Sequence, residues 1–583
     1  MIAFLKTHYM AVIFAIGVGI FSGIPQYLAR EALGSDYQGV PYLFQDAEAV
    51  YLTRIQEFKD GHGDVTSPFL YEYKVGKSVM PPTGEYIYWL LSKITGTSII
   101  SVLVVSKYVF PAALFLLVYV FVLLLIKEGE GRRLLALAAA TWITLGYELA
   151  DVNTALSIFN GSYTSTYLSI WSRAVNPITG ALLLFGFLIS LLLLLREKYK
   201  ATVPTILLLS VMTGYIFSFG IAFASLTIFI IVSLIFREYK KAVILFLILI
   251  GALLINLPHL LTFSTNEGEA LKSGLLLTHT PLLSSILMGV ILILVAGLFS
   301  DYVKKRPFSL DSPQVFLFIV LLAGFAAMNQ QVITGKTVWP HHFVQYTIPL
   351  SMIAALVAFY VYIRPLIVSW WRLVLWGVIG ISFMFALVSL PTYKNRLPEY
   401  KKVNDYAQMF EWLEKNDGPC VVLPVGEIEQ INSYITALTH CDVYFTHYTF
   451  IGIPRERIIH NELVNMKFQN IPPEDVAEYL RDNEGRVRAV LFRDWRDLFH
   501  HSSDAWLIST GDRDEIDSWI EGQIQEMALA YKDFYRSDFR TELLKYRIDY
   551  VLHDKEGKIP FDTSRFPFLE KIYEDERFIA YEL

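Results

Sequence analysis

The sequence predicts an α-helical polytopic membrane protein of about eleven transmembrane helices, carrying a C-terminal extracytoplasmic α/β domain. Three observations lead there. The 583 residues are 54% hydrophobic and only 18% charged, where an ordinary soluble chain carries about 25% charged residues. The deficit is local: "VPTILLLSVMTGYIFSFGIAFASLTIFIIVSLIF" at 203–236 holds no charge at all. From 393 onward the composition returns to that of a soluble domain.

The first element is the apolar run in "MIAFLKTHYMAVIFAIGVGIFSGIPQYLAR". A signal peptide would begin in the same way. No small-x-small cleavage site follows, so an uncleaved first span is expected. Ten further spans follow, giving segments at 8–28, 99–126, 134–150, 177–195, 203–218, 220–236, 242–261, 282–300, 314–331, 343–363 and 372–390. A β-barrel would alternate in segments of about 10 residues, a pattern this chain lacks.

Basic residues orient the spans. "KEGEGRR" (127–133), "REKYK" (196–200), "REYKK" (237–241), "KKRP" (304–307) and the stretch 364–372 fall at alternate connections. All five belong on the cytoplasmic side, with the N-terminus. An odd number of spans between any two of them would force one basic loop outside. The connections 30–98, 151–176, 262–281 and 332–342 then lie outside a multi-pass plasma-membrane protein, as does the tail. The division is 1–392, the transmembrane domain with its long first outer loop 30–98, and 393–583, the soluble domain.

Within the tail, "PCVVLPV", "DVYFTHY", "RAVLFRDW", "IDYVLHD" and "FIAYEL" read as strands, with "EDVAEYLRDNEG" and "DEIDSWIEGQIQEMALAYKDFYRS" as helices between them. Cys420 and Cys441 each head a strand. They pair if those strands are parallel neighbours, and are otherwise free thiols. No CxxC encodes a thiolate metal site. "NGS" at 160–162 matches a glycosylation acceptor in an outer loop. No basic patch suggests nucleic acid.

Ionisable residues in lipid are costly and are kept for function. Here the span centres are clean, and the exceptions, Lys107, Glu148, Asp151, Asn256 and Asn329, stand near outer ends. An ion-coupled transporter keeps charge at the midplane, so this distribution points to chemistry at the outer surface. Four outer patches carry it. The first is Asp46 and Glu48 in "QDAEAVYLTRIQEFKDG". Asp46 stands at the N-cap of a helix over 47–59 and Glu48 in its first turn, positions that capping alone explains. The stripe Tyr51, Ile55 and Phe58 suits that helix to lying on a membrane surface.

The second patch is "SIWSRAVNPITG" (169–180), where Arg173 can grip a phosphate oxygen or serve as an interfacial anchor beside Trp171. The third is "MNQQVITGKTVWPHHF" (328–343), with Asn329, Gln330 and Gln331 at one mouth of a short loop and His341 and His342 at the other. Adjacent histidines on a helix diverge by about 100°, so phosphate or sugar contact fits them better than one metal. The fourth, "VGKSVMPPTGEYIYWLLSKI" (75–94), is an interfacial helix, with Lys77 and Glu85 as possible ligand contacts.

With these residues in hand, the sequence resembles the GT-C superfamily of integral membrane glycosyltransferases, of the uncharacterised bacterial type. The first span, the acidic pair just after it, the following "TGEYIYWLLSKI" helix, the span count and the outer C-terminal domain match over the whole chain. "R..NP" before a middle span and "NQQ.ITG" before a late one recur in such members. The "WWDYG" type of motif is missing, which disfavours an oligosaccharyltransferase.

The resemblance implies an enzyme moving a sugar from a polyprenyl-(di)phosphate donor to an acceptor glycan, lipid or protein at the extracytoplasmic face. It makes Asp46 the general base. It makes Glu48 an assistant, an acceptor guide or, with Asp46, a holder of a divalent cation such as Mg2+ or Mn2+. Arg173, His341 and His342 would bind the donor phosphate, and Asn176, Asn329, Gln330 and Gln331 the sugar or acceptor hydroxyls. Asp46 and Glu48, two apart, point to opposite sides of a helix. The competing readings are an O-antigen-ligase-like glycan transferase, leaning on Arg173 and the histidines rather than Asp46, and a non-catalytic membrane scaffold or lipid-binding protein.

Overall fold

The computed structural model describes residues 7–43, 48–76, 81–160, 169–264, 281–305, 309–335, 338, 341–367, 370–416, 418–425, 428–446, 453–483, 510–557 and 561–583. Asp46, Lys77, most of the glycosylation triplet, "RAVLFRDW" and most of the loop 262–281 lie outside the described residues.

The helices run α1 (Tyr9–Leu33), α2 (Glu48–Lys59), α3 (Thr83–Thr95), α4 (Ile99–Leu125), α5 (Arg132–Leu145), α6 (Val152–Phe159), α7 (Ile178–Leu195) and α8 (Thr202–Val211). They continue with α9 (Ile216–Ile235), α10 (Tyr239–Ile255), α11 (Leu257–Ser264), α12 (Ser285–Val303), α13 (Pro313–Met328), the single turn α14 (Gln331–Thr334), α15 (His341–Ala358) and α16 (Trp370–Ser389). Among the described residues, seven helices are long and apolar enough to cross a membrane: α1, α4, α7, α9, α12, α15 and α16. The other expected spans fall on α5, α8, α10 and α13, of 14, 10, 17 and 16 residues, short of the roughly 20 that a straight crossing takes. The chain is thus multi-pass, and the figure of eleven rests on the sequence alone.

One boundary moves. The join expected at "TGYIFSFG" (213–220), between the spans 203–218 and 220–236, falls at 212–215, between α8 and α9. Gly214 explains it: a Cβ there would lie 2.5 Å from the carbonyl oxygen of Pro81. The chain must turn where the start of α3 presses on it, and only glycine leaves room.

The basic loops gather at one end of the bundle. Lys127 and Arg196 both reach Asp311, at 2.6 and 3.2 Å. Arg372 pairs with Glu130, and Lys240 lies over the ring of Tyr199 at 4.7 Å. The starts of α7, α9 and α15 stand at the opposite end, where α2 and α3 pack.

After α16 come α17 (Leu397–Asn404), α18 (Ala407–Lys415), β1 (Val421–Val425), α19 (Ile428–Leu438), β2 (Asp442–Val443), α20 (Arg455–Phe468), α21 (Val476–Asp482), α22 (Thr510–Arg536), α23 (Phe539–Leu543), β3 (Tyr550–Asp554), β4 (Glu570–Glu574) and β5 (Phe578–Glu582). The strands form one sheet in the order β2-β1-β3-β5-β4. β1 is parallel to β2 and β3, while β5 is antiparallel to both β3 and β4. Every residue of β1 is buried, as a central parallel strand covered on both faces requires. Cys420 and Cys441, at the heads of β1 and β2, form a disulfide.

Alternate strand residues serve two cores. Val421, Leu423 and Val551 face α20, α22 and α23. Val422 and Leu552 face α18, α19 and, beyond them, Leu52 and Ile55 of α2 with Phe69 and Tyr88 of the first loop. The expectation that α2 lies on the membrane is therefore corrected. Of its stripe, Ile55 is fully buried, Phe58 groups with Tyr86 and Trp89 of α3 and Tyr51 bonds Asn176, while α19 packs on the face bearing Thr53, whose Oγ1 meets Thr436 Oγ1 at 2.9 Å. On α3, Tyr86, Leu90 and Ile94 are exposed, and Tyr86 and Trp89 group with Phe58.

Candidate functional site

Two guanidiniums, several tyrosines and an amide converge where α2, α3, the 169–177 segment and the starts of α9 and α15 meet. The 169–177 segment is heavily fixed. Ser169 caps a short turn through the Trp171 amide at 3.2 Å, and Trp171 Nε1 donates to the Ile143 carbonyl at 2.7 Å. The Ala174 N–H donates to Glu48 Oε1 at 3.2 Å, and the Val175 N–H donates to Tyr88 Oη at 3.0 Å. Val175 has φ +64°. That conformation is costly for a β-branched side chain and persists only where the surroundings enforce it. Gly84 of α3 is part of the enforcement, because a Cβ there would stand 2.7 Å from Val175 Cγ1.

Glu48, buried at 1% exposure, contacts Lys107 Nζ of α4 at 2.8 Å, and Lys107 also donates to the Tyr42 carbonyl at 3.4 Å. Glu48 therefore ties α2, α4 and the segment bearing Arg173 together. One turn on, Arg54 Nε donates to Glu85 Oε1 of α3 at 2.5 Å. Tyr51, between these contacts, is hydrogen-bonded to the Asn176 side chain and faces Arg173, Arg54 and Glu85; burial raises its hydroxyl pKa above the ordinary value.

Tyr346 of α15 completes the wall. Its hydroxyl donates to the Pro177 carbonyl at 3.1 Å and lies within the electrostatic reach of Tyr51 and Arg173. Gly180 is required there, since a Cβ would lie 2.3 Å from that hydroxyl. Tyr215 Oη donates to Gln345 at 3.4 Å, and the His342 ring packs on Phe217 with centroids 4.7 Å apart.

An apolar cavity of ≈ 270 Å³ adjoins this cluster, lined by Pro81, Thr213, Ile216, Phe219, Asn256 and His259 among others. Ile216 in the cavity wall is the residue after Tyr215, whose ring lies 6.1 Å from that of Tyr346. Asn256 is satisfied at its edge, accepting from Thr213 at 2.8 Å and donating to the Ser210 carbonyl at 3.2 Å.

The structure thus brings together Glu48, Arg173, Asn176 and the α15 start bearing His342. The side chain of His341 and the whole of Asp46 lie outside the described residues. The amide trio stands to one side. Asn329 Oδ1 accepts from the Leu282 N–H at 2.6 Å and its Nδ2 donates to the Leu282 carbonyl at 3.1 Å. Gln331 donates to Asn329 at 3.5 Å, and Gln330 accepts from Thr334 at 2.6 Å. The trio adjoins the cluster through Gly220 of α9, against which both Ala327 and Phe343 pack.

Sequence reasoning passed over Tyr51, Arg54, Tyr215 and Tyr346. Each sits in an apolar or amphipathic stretch where a tyrosine or arginine reads as a rim residue. The one available signal was the spacing of Tyr51 and Arg54, which puts both on the helix face next to Glu48.

The described carboxylates here do not fit a divalent ion. Glu48 already holds Lys107 and the Ala174 amide, and Glu85 holds Arg54.

No family model and no curated protein matches the chain. Among solved structures it is similar to the arabinofuranosyltransferase AftD from Mycobacteria (TM-score 0.49, 12% identity), over 99% of this chain and 40% of that one. It is also similar to ArnT from Cupriavidus metallidurans (TM-score 0.47, 12% identity, 98% and 97% of the two chains). A third is the oligosaccharyltransferase from Archaeoglobus fulgidus (TM-score 0.46, 11% identity, 94% and 69%). The chain spans less than half the length of the first of these. Likenesses at this level carry no argument about activity.

Proposed function

We propose that the chain is a GT-C-type membrane glycosyltransferase that moves a sugar from a polyprenyl-(di)phosphate donor to an acceptor at the extracytoplasmic face. The observation that carries this reading is the juxtaposition of an apolar cavity with a polar cluster containing Arg173, Arg54 and Asn176. A ligand with a long apolar tail and an anionic head matches both halves at once. The basic loops gathered at the opposite end support an outer placement for the cluster by the positive-inside rule. By the same rule the unit from 393 onward lies outside.

In this reading Arg173 binds the donor phosphate, with His341 and His342 beside it, and neutralises the charge that develops as the phosphate leaves. Asn176 orients the sugar or acceptor together with Tyr51, while Asn329, Gln330 and Gln331 form a more distant rim. The bond from the sugar anomeric carbon to the phosphate oxygen breaks with its electron pair on the phosphate. A new bond forms from that carbon to the acceptor oxygen, and the acceptor proton passes to Asp46 as general base. Glu48 acts through the Ala174 amide, holding Arg173 in place. No step is routed through a metal.

The test is transfer from labelled polyprenyl-phosphate and polyprenyl-diphosphate sugars by protein reconstituted in lipid. Asp46→Asn and Arg173→Ala should each lower turnover at least 100-fold. Loss in Arg173→Ala with activity kept in Asp46→Asn would favour the ligase-like use of a diphosphate donor. Unchanged transfer in both, or none by the unaltered protein with any donor, would sink the proposal.

A further inference from the structure

At the far end of α2 from Glu48, a second group of buried charges joins the first loop to the sheet. Lys74 pairs with Glu57 of α2 and lies 2.6 Å from Asp442 Oδ1, the first residue of β2. The side chains of Lys74, Glu57 and Asp442 are 8%, 4% and 7% exposed. His62 Nδ1 stands 3.0 Å from the other Glu57 oxygen. Asp60 adds a further carboxylate, faced by Lys59, Lys74, His62 and His440, and His440 is held by Glu414 of α18 at 3.1 Å. Directly beside Asp442, the Val443 N–H donates to the Phe69 carbonyl at 3.0 Å. The first loop is therefore hydrogen-bonded onto β2.

The charge count is what makes this junction unusual. At its buried centre, among the described residues, two carboxylates share one ammonium. An uncompensated buried charge is expensive, so the closed junction favours holding one extra proton on Glu57 or Asp442.

We propose that Glu57, Lys74 and Asp442 form a proton-operated latch between the first outer loop and the C-terminal unit, closed when the carboxylate pair shares a proton and loosened when that proton is lost. This inference does not depend on the transferase reading. Burial pushes both Glu57 and Asp442 up to about 7, while the two acids hold Lys74 above its ordinary value. Both acids bind protons more tightly in the closed state than in an opened one, where carboxylates titrate near 4. Closure is therefore most favourable in acid. It weakens as the pH rises from about 4 and levels off once the pH has passed about 7.

Hydrogen exchange of the full-length protein in lipid nanodiscs tests this, on peptides spanning 57–75 and 439–446, corrected for intrinsic rates. One-proton linkage predicts about a tenfold loss of protection between pH 6 and pH 8.5, flattening above pH 8. Asp442→Asn and Glu57→Gln each leave one carboxylate on Lys74, and protection should then vary less than twofold over that range. Constant protection in the unaltered protein overturns the latch. So does a decline that persists in both variants, or both variants standing unprotected at pH 6, where a neutral amide should mimic the protonated acid.

Discussion

The two ends of α2 are both held by a buried lysine, and the two holds differ in stoichiometry. At the start, Lys107 faces one carboxylate, Glu48, whose Oε1 also takes the Ala174 amide. At the end, Lys74 faces two, Glu57 and Asp442. A balanced pair of one ammonium and one carboxylate works as a fixed clamp. An unbalanced triad is a titrating one. One twelve-residue helix thus carries a rigid anchor beside the candidate site and an adjustable one beside the sheet.

The largest expected effect comes from breaking the balanced pair. Lys107→Met leaves Glu48 buried and unpaired, a change that costs about 3–5 kcal/mol. Thermal unfolding in detergent should show it, and exchange should rise across 173–176. Adding Glu48→Leu should restore much of the loss, because the pair is then removed as a unit. Next comes Gly84→Ala. The new methyl meets Val175 at a strained backbone, and the expected cost is about 1–3 kcal/mol, read by the same melt and by weakened binding of a prenyl phosphate. Thr53→Val removes the bond to Thr436 between the two anchors and should cost about 1 kcal/mol, raising exchange in α19 without touching 173–176. At the small end, the exposed pair Arg481–Glu521, 2.7 Å apart, is an anchor with no burial behind it. Arg481→Ala should leave the melt unchanged. A shift there comparable to that of Lys107→Met would mean burial is not what separates these contacts.

How far the sequence could be read follows the range of the interactions. α2 was visible in the spacing of Tyr51, Ile55 and Phe58, but what covers the helix was not, because Ile431 and Ile435, in one buried cluster with Leu52 and Ile55, lie some 380 positions downstream. Periodicity reports that a face is buried and is silent about the partner. The disulfide was conditional on parallel neighbouring strands, and β1 and β2 meet that condition. β4, "EKIYE", escaped notice since an edge strand with mostly exposed residues has no apolar alternation to see. Arg173 was legible as a charge just before a span. The tyrosines that face it were not, since in an apolar run a tyrosine looks like any interfacial residue.

The bond from Val443 to Phe69 also bears on the order in which the molecule is made. The ribosome makes Phe69 more than 370 residues before the strand that receives it. The spans are threaded into the bilayer during that interval, while α2 lacks the part of its cover that α18, α19 and the sheet supply. Assembly at this end of the bundle is therefore deferred until β2 has been made. A chain stopped before residue 420 would present Leu52 and Ile55 to water, and should be a ready target for chaperones and proteases on that side of the membrane.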